Sequence, residues 1–251
     1  MGTHEEPDVA RTLARLVERL EPQLVVASGD LAHRGRRPEL ERAAELLRSL
    51  GPPVLAVPGN HDLPHTPLRF VRPWAEFERI WETTEPTASV PGLHVIGLNS
   101  ARPFRHQGGA LSGAQLGRAV ERLAAAEPGA MRVAVLHHHL IGAPLRAARK
   151  RPVSRRNRVL RALVDAGADL ILAGHIHQAA VSERHEFEVV GGEARTAVVA
   201  IAPGLGQPRP RRLGEARGLH VAETDADAIV VRTFRWSRGD WRLGAERRFL
   251  R

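Results

Sequence analysis

The sequence predicts an α/β protein whose buried strands end in side chains able to bind metal or move protons. Four apolar runs have the length and composition of buried strands: 24–27, 53–57, 133–136 and 170–173. Each run leads directly into a loop that carries Asp, Asn or His. In an open α/β sheet, ligands bind in the crevice beyond the carboxyl ends of the strands. We therefore expect the four loops to meet in one site.

Helical periodicity alternates with these strands. Apolar residues recur every three to four positions in 5–20 and in 38–50, which is typical of helices with one buried face. A further helix is expected to open at Ser112, because its spacing to Gln115 makes a capping box. The other predicted elements of this part are a strand at 94–98 and a helix at 156–166. The strands that contain the last two apolar runs are expected to span 132–136 and 169–173.

The segment 67–82 carries aromatic residues at helical spacing. Phe70, Trp74, Phe77 and Trp81 recur every three to four positions. The pattern predicts a helix whose aromatic face packs on the core, and the wall of a pocket is the alternative interpretation.

After residue 177 the pattern changes from alternating helices and strands to strands alone. Segments with strand-like alternation follow one another, which predicts antiparallel strands that close a second sheet: 179–190, 195–201, 217–223 and 228–236. The Pro- and Arg-rich piece 203–212 is expected to be a surface loop. We interpret residues 1–251 as a single domain, with an alternating α/β part over 1–177 and a mainly β part over 178–251.

Composition excludes several classes of protein. The chain has no cysteine, which excludes disulfides and thiolate metal sites. No apolar run approaches the roughly 20 residues of a membrane helix, so we expect a cytoplasmic protein without membrane partners. The net charge is +9 and comes almost entirely from arginine. A nucleic-acid surface is one interpretation, but scattered arginines and the absence of tyrosine favour a G+C-rich coding sequence instead.

The candidate ligands are Asp30, Asn60, His137, His175 and His177. All five stand directly after predicted strands. Oxygen and imidazole donors together suit Mn, Fe or Zn better than Ca or Mg. Two such ions can bind a phosphoryl oxygen and generate hydroxide for in-line attack. The sequence contains no phosphate loop of the Walker type, no nucleophile elbow and no dinucleotide fingerprint. Metal-assisted hydrolysis is the chemistry that these residues favour.

The loops also resemble a known family. Gly29-Asp30, Gly59-Asn60-His61-Asp62, His137-His138 and Gly174-His175-Ile176-His177 are similar, in order and spacing, to the motifs of calcineurin-like metallophosphoesterases. The run from Gly29 to Gly35 looks closest to the bacterial cyclic-nucleotide phosphodiesterase-like branch. The resemblance implies an αββα sandwich of two mixed β-sheets flanked by helices.

The resemblance also implies a role for each site residue. Asp30 would bridge two metals, Asn60, His137 and His175 would complete one site, and His177 would serve the other. His61 would be the catalytic proton donor or phosphate contact, and Asp62 would orient it. His33 stands where many relatives have Asp, and His139 where Pro is common; we expect neither to be a ligand.

The amino terminus departs from the family pattern. Relatives open with a strand that ends in Asp-x-His, and both of those residues bind the metal that His177 serves. This motif is absent here, and the spacing of His4 and Asp8 is wrong for a substitute. We therefore expect a missing first strand, upstream of residue 1, and one metal ion in this chain where the complete family site holds two.

Two functions of different classes follow. The first is a metal-dependent phosphoesterase that hydrolyses a phosphodiester or phosphomonoester, with a cyclic nucleotide as one candidate substrate, through metal-activated hydroxide. The second is an impaired or non-catalytic phosphoesterase-like protein that binds one metal and a nucleotide or partner. Substrate choice is expected to lie in the loops 64–74, 102–111 and 140–155.

Overall fold

The computed structural model describes residues 7–141, 150–185, 196–206, 216–225 and 227–251. Its helices are α1 (Pro7–Leu20), α2 (Arg37–Arg48), α3 (Leu68–Val71), α4 (Ala75–Trp81), α5 (Gly113–Ala124) and α6 (Arg156–Asp165). Its strands are β1 (Val25–Ala27), β2 (Val54–Ala56), β3 (Thr87–Val90), β4 (Leu93–Leu98), β5 (Met131–Leu136), β6 (Leu170–Ala173), β7 (Ala180–His185), β8 (Thr196–Ile201), β9 (Gly218–Thr224), β10 (Ala228–Ser237) and β11 (Asp240–Leu250). None of the described helices is long and apolar enough to cross a bilayer.

A six-stranded mixed sheet forms one β layer. Its strand order is β3-β4-β5-β6-β8-β7, with parallel pairing from β4 through β8 and antiparallel strands at both edges. The central strands are buried on both faces, since their residues are apolar almost throughout. The carboxyl ends of β5 and β6, which carry the predicted ligands, therefore lie side by side.

The second β layer consists of two pieces. β1 pairs with β2 in parallel, and β9, β10 and β11 form an antiparallel sheet in the order β11-β10-β9. Among the described strands, β1 and β9 each have one unpaired edge. Both strands line a cavity of about 360 Å³, whose walls are mostly aliphatic and which reaches Asp30 and the histidines.

Helices cover both outer faces and complete the αββα sandwich. Leu116 and Leu123 of α5 and Leu163 of α6 pack on one face of the six-stranded sheet. The other face of that sheet packs on β2 and β10 through aliphatic side chains such as Leu55 and Val231. α2 and α4 cover the β1–β2 pair, and α1 covers the three-stranded sheet. The predicted fold class is thus confirmed.

The predicted helix 67–82 is wrong in part. It is split into α3 and α4 around Arg72-Pro73-Trp74, because proline lacks the N–H that a continuous helix needs. Phe77 is buried as expected, but Phe70 is 55% exposed. The helical spacing of the aromatic residues therefore does not place them on one buried face, because the helix is interrupted between them.

The predicted second sheet is also corrected. The strands expected at 179–190 and 195–201 correspond to β7 and β8, and both belong to the six-stranded sheet, where β8 runs parallel to β6. Alternation shows that a segment is a strand, but not which neighbour completes its hydrogen bonds. The strand β11 was not predicted. Residues 186–190, 207–212 and the middle of the loop 140–155 (142–149) lie outside the described residues, as does His4.

Candidate metal centre

Three predicted ligands from three strand ends meet in the structure. Asp30 follows β1, His137 follows β5 and His175 follows β6. Nε2 of His137 lies 3.3 Å from Oδ1 of Asp30 and 3.1 Å from Nδ1 of His175. The two imidazoles are buried, so the cluster is a compact, largely dehydrated set of metal-type donors.

The outer nitrogens of His137 and His175 both face backbone carbonyls. Nδ1 of His137 lies 2.8 Å from the carbonyl oxygen of Ser28, and Nε2 of His175 lies 3.0 Å from that of Gln107. Because a carbonyl only accepts, these outer nitrogens hold hydrogens, and Nδ1 of His175 carries a lone pair directed at His137. Nε2 of His137 therefore faces two acceptors, this lone pair and Oδ1 of Asp30, and either a proton or a metal ion must lie between them. Second-sphere carbonyls of this kind orient histidine ligands of metals.

Asn60 lies in the loop after β2 and is buried at 1% exposure. Neither atom of its side-chain amide has a hydrogen-bond partner in the described part of the chain. A buried, unbonded amide costs free energy, and coordination of a metal by its oxygen would remove part of that cost. The residue set therefore fits a divalent ion on the evidence of Asn60 and of the two histidines together.

His138 is a member of the cluster that sequence analysis did not assign as a ligand. One ligand nitrogen from each of His137, His138 and His175 lies within 4.8 Å of the others. The hydroxyl of Ser100 is 2.9 Å from Nδ1 of His138, and its buried Nε2 has no partner among the described residues. Successive residues of a strand point to opposite faces, which favours only one ligand from a pair. The structure brings both imidazoles into reach because β5 has ended.

The surroundings of Asp30, His138 and His175 favour the protonation states in which these side chains bind metal. Burial raises the pKa of Asp30, but the charge and hydrogen bond of His137 outweigh it and hold this pKa well below its ordinary value. Burial and the neighbouring His137 push the pKa of His175 far below its ordinary value. Burial likewise lowers the pKa of His138. Metal ions bind carboxylates in the ionised form and imidazoles in the neutral form, and these shifts favour the ionised form of Asp30 and the neutral forms of His138 and His175.

His61 is half-buried beside this cluster. Its backbone N–H donates to Oδ1 of Asp30 at 2.9 Å, and its Nδ1 lies 2.9 Å from the carbonyl oxygen of His33. The ring of His33 stacks on it at 5.7 Å between centroids. The backbone of His61 is thus hydrogen-bonded to Asp30, and its imidazole is oriented by the carbonyl of His33.

The carboxylate of Asp62 contacts the backbone of two loops. It accepts from the backbone N–H of Gly59 and of Ala32, each at 2.7 Å. Burial, followed by the charge of Asp30, raises the pKa of Asp62 to about 6. Asp62 thus joins the loop after β1 to the loop after β2, whereas the carbonyl of His33 contacts the ring of His61; that Asp62 orients His61 stays a prediction.

His177 lines the aliphatic cavity together with Asp30, His137 and His175. Its backbone φ is +58°, and that of His175 is +71°, both in the left-handed region. This conformation costs free energy for residues other than glycine, and such strained conformations are found most often at functional sites. Asp8, in contrast, lies on an exposed part of α1 and pairs with Arg11.

The glycines of the two loops are required by close packing. A Cβ at Gly59 would lie 2.2 Å from Oδ1 of Asp30 and 2.3 Å from its backbone nitrogen. A Cβ at Gly29, whose φ is +90°, would lie 2.6 Å from the nitrogen of Gly59. The loops can approach this closely only because neither residue has a side chain.

We expect Gly59→Ala to destabilise the protein by about 1–3 kcal/mol, the usual cost of overpacking, and to displace the Asp30 carboxylate. Thermal unfolding and metal content by elemental analysis would measure both effects. Gly117→Ala is the matched control, because a Cβ at this position of α5 meets nothing within 4 Å. It should keep metal content and unfold no earlier. Equal behaviour of the two variants would contradict the assignment.

The comparisons with known proteins agree with this geometry. A family model described as calcineurin-like phosphoesterase matches residues 3–179. Among curated proteins, the chain is similar to a probable cyclic nucleotide phosphodiesterase of Synechococcus, with 32% identity over 144 residues, 55% of this chain and 50% of that protein. It is also similar to a glycerophosphodiester phosphodiesterase, GpdQ, of Enterobacter lignolyticus, with 42% identity over 66 residues, 26% of this chain and 23% of that protein. The matches thus span at most about half of these relatives.

Solved structures share the fold at low identity. A dimetal phosphatase from Danio rerio superposes with a TM-score of 0.61 at 17% identity, covering 94% of this chain and 88% of that one. A Vps29 mutant from Entamoeba histolytica gives 0.51 at 12% identity, covering 99% and 94%. The family model covers more than half of the sequence and includes all the strand-end motifs described above. The chain belongs to the calcineurin-like phosphoesterase family.

Proposed function

We propose that the protein is a metal-dependent phosphoesterase that hydrolyses a phosphodiester. The observation that carries the proposal is the convergence of Asp30, His137 and His175, in which Nε2 of His137 faces acceptors of both other residues at 3.3 and 3.1 Å. A divalent ion can take the place of the proton between these donors, and the buried, unbonded amide of Asn60 offers a further oxygen. Family membership supports the reaction class.

The proposed ligands are Asp30, Asn60, His137 and His175, with His177 on the side of the aliphatic cavity. A divalent ion held there would act as a Lewis acid on a phosphoryl oxygen and would lower the pKa of a bound water. Mn, Fe and Zn are the candidates, because the donors are carboxylate, amide and imidazole. The second ligand set that the family resemblance implies would lie toward the cavity, next to His177.

His61 is the proposed general acid. With Nδ1 facing the carbonyl of His33, protonated His61 directs its Nε2–H away from that carbonyl. This hydrogen is then available to the oxygen that leaves phosphorus. Asp62 supports the step indirectly, because it fixes the loop that carries Asn60 and His61.

The proposed substrate class follows from the relatives. The names of the two curated proteins specify a cyclic nucleotide and a glycerophosphodiester, and both compounds are phosphodiesters. A diester bears one negative charge and two ester groups, so the site must accommodate one organic group on each side of phosphorus. We propose a phosphodiester as substrate and a cyclic nucleotide as its more specific form.

The test is hydrolysis of bis(p-nitrophenyl) phosphate and of a cyclic nucleotide by Mn²⁺-loaded protein, with chelator-treated protein as the control. Metal-dependent release of p-nitrophenol is the expected result. Tight binding of one metal ion without turnover of either diester would favour the alternative, a non-catalytic phosphoesterase-like protein.

We expect residues 1–251 to bind one metal ion per chain. Asp30, Asn60, His137 and His175 offer four protein donors, whereas Asp30 and His177 alone are too few for the roughly four- to six-coordinate demand of these metals. Elemental analysis after gel filtration would decide: two tightly bound ions per chain would show that another residue completes the second site.

A further inference from the structure

An exposed apolar patch lies on α3 and on the turn that follows β4. Phe70 and Phe104 stack with centroids 5.1 Å apart and planes 29° apart, yet they are 55% and 82% exposed. Leu68 and Val71 are also exposed, at 58% and 74%. Large apolar side chains gathered on a surface mark binding sites more often than chance placement. Core packing does not explain this pair.

The two halves of the patch are held together by Arg69. This residue is only 9% exposed, and its guanidinium donates to the carbonyl oxygens of Pro103 and Arg105 at 2.6 and 3.3 Å. The backbone N–H of Arg105 donates to the carbonyl of Arg102 at 3.0 Å, which closes a turn with Phe104 near its tip. Burial of a guanidinium is costly without such bonds. The bonds of Arg69 therefore fix the backbone around Phe104 relative to the helix that carries Phe70.

The same loop contacts the candidate metal centre. Three residues after Phe104, the carbonyl of Gln107 accepts from Nε2 of His175 at 3.0 Å. On the other side, the ring centroids of His61 and His65 are 6.3 Å apart, and those of His65 and His106 are also 6.3 Å apart. Phe104 therefore lies on the loop that forms the rim of the site, and its neighbour His106 is separated from His61 by the ring of His65.

We propose that Phe70 and Phe104 form a recognition surface for an aromatic ring in the organic group of the phosphate ester. The proposal rests on the proposed function, because it assumes that phosphate binds beside His61. It favours an aryl or nucleobase ester over a glycerol ester, since an exposed ring attracts another ring through its face and glycerol has no π system.

The charge of the rim favours an anionic ester over a second copy of the chain. Arg72 and Arg105 flank the aromatic pair and are exposed. In a twofold contact the same patch meets itself, so these guanidinium groups would approach their own copies. A phosphate ester brings the opposite charge together with its ring.

The test compares binding of phenylbutylphosphonate and butylphosphonate, two stable probes that differ in a ring held away from phosphorus, to Mn²⁺-loaded protein by isothermal titration calorimetry. We expect phenylbutylphosphonate to bind more tightly, and Phe104→Ser to weaken its binding about threefold to tenfold, the range of one aromatic contact. Binding of butylphosphonate should not change in this variant. Leu243→Ser is the matched control, because Leu243 is 54% exposed but lies on β11.

Each other outcome overturns the proposal in a distinguishable way. Equal affinities for the two probes, or equal loss in the Phe104 and Leu243 variants, would reject the aromatic surface and leave the phosphoesterase function standing. Failure of both probes to bind would reject the phosphate site itself. A lower oligomeric mass of Phe104→Ser in gel filtration, with unchanged phenylbutylphosphonate binding, would assign the patch to contact between copies.

Discussion

Replacement of His61 by alanine is expected to lower kcat about 10²–10⁴-fold, the usual contribution of a general acid, while metal content stays unchanged. The reason is that the hydrogen bond from His61 to Asp30 comes from the backbone N–H of His61, and alanine keeps that N–H. The imidazole, by contrast, is the group that would deliver the proton. Steady-state kinetics with bis(p-nitrophenyl) phosphate, combined with elemental analysis, would measure the two quantities.

His33→Ala is the matched control for that experiment. It removes the ring that stacks on His61 but keeps the carbonyl that faces Nδ1. We expect a change in kcat of less than about tenfold, since the proton donor and its backbone partner are both retained. If His61→Ala emptied the metal site and spared turnover, the roles of His61 and its neighbours would be reversed.

Replacement of Asn60 by alanine is expected to lower metal content and rate together. Its amide is buried and unbonded in the described structure, so alanine would remove a ligand without breaking a hydrogen bond within the protein. Loss of one ligand should weaken metal affinity at least as much as loss of a second-sphere partner, about 10–100-fold. Titration of the metal-free variant with Mn²⁺ would give the affinity.

Two further variants complete the Asn60 test. Asn60→Asp restores an oxygen donor and should recover metal binding. Asn99→Ala is the control for loss of a buried asparagine at a strand end. The amide oxygen of Asn99 accepts from the backbone N–H of Ala101, so this side chain has a hydrogen-bond partner within the protein. We expect Asn99→Ala to keep its metal. Full metal content in Asn60→Ala would remove Asn60 from the ligand set.

Local patterns in the sequence predicted much of the site. A strand that ends in glycine or proline and continues with Asp or His needs no distant information to be recognised, and Asp30, His137 and His175 do meet as the strand ends required. The part of the site that sequence reasoning missed depends on contacts between loops far apart in the chain. Ser100, which lies 2.9 Å from His138, and the carbonyls of Ser28, His33 and Gln107 are examples. Backbone carbonyls leave no signal in side-chain identity.

The sequence by itself determined the fold class, the chain order of the strands that precede the candidate ligands and the residue types of those candidates, because periodicity and strand-end composition are local properties. Tertiary structure alone decided which strands share a sheet, since β8 is completed by β6 and not by the strands after it. It also decided that Asp62 clamps two loops through Gly59 and Ala32, and that Phe70 lies on the surface beside Phe104. Each of these depends on which unpaired group of a distant segment lies within hydrogen-bonding or van der Waals range, and periodicity carries no information about that.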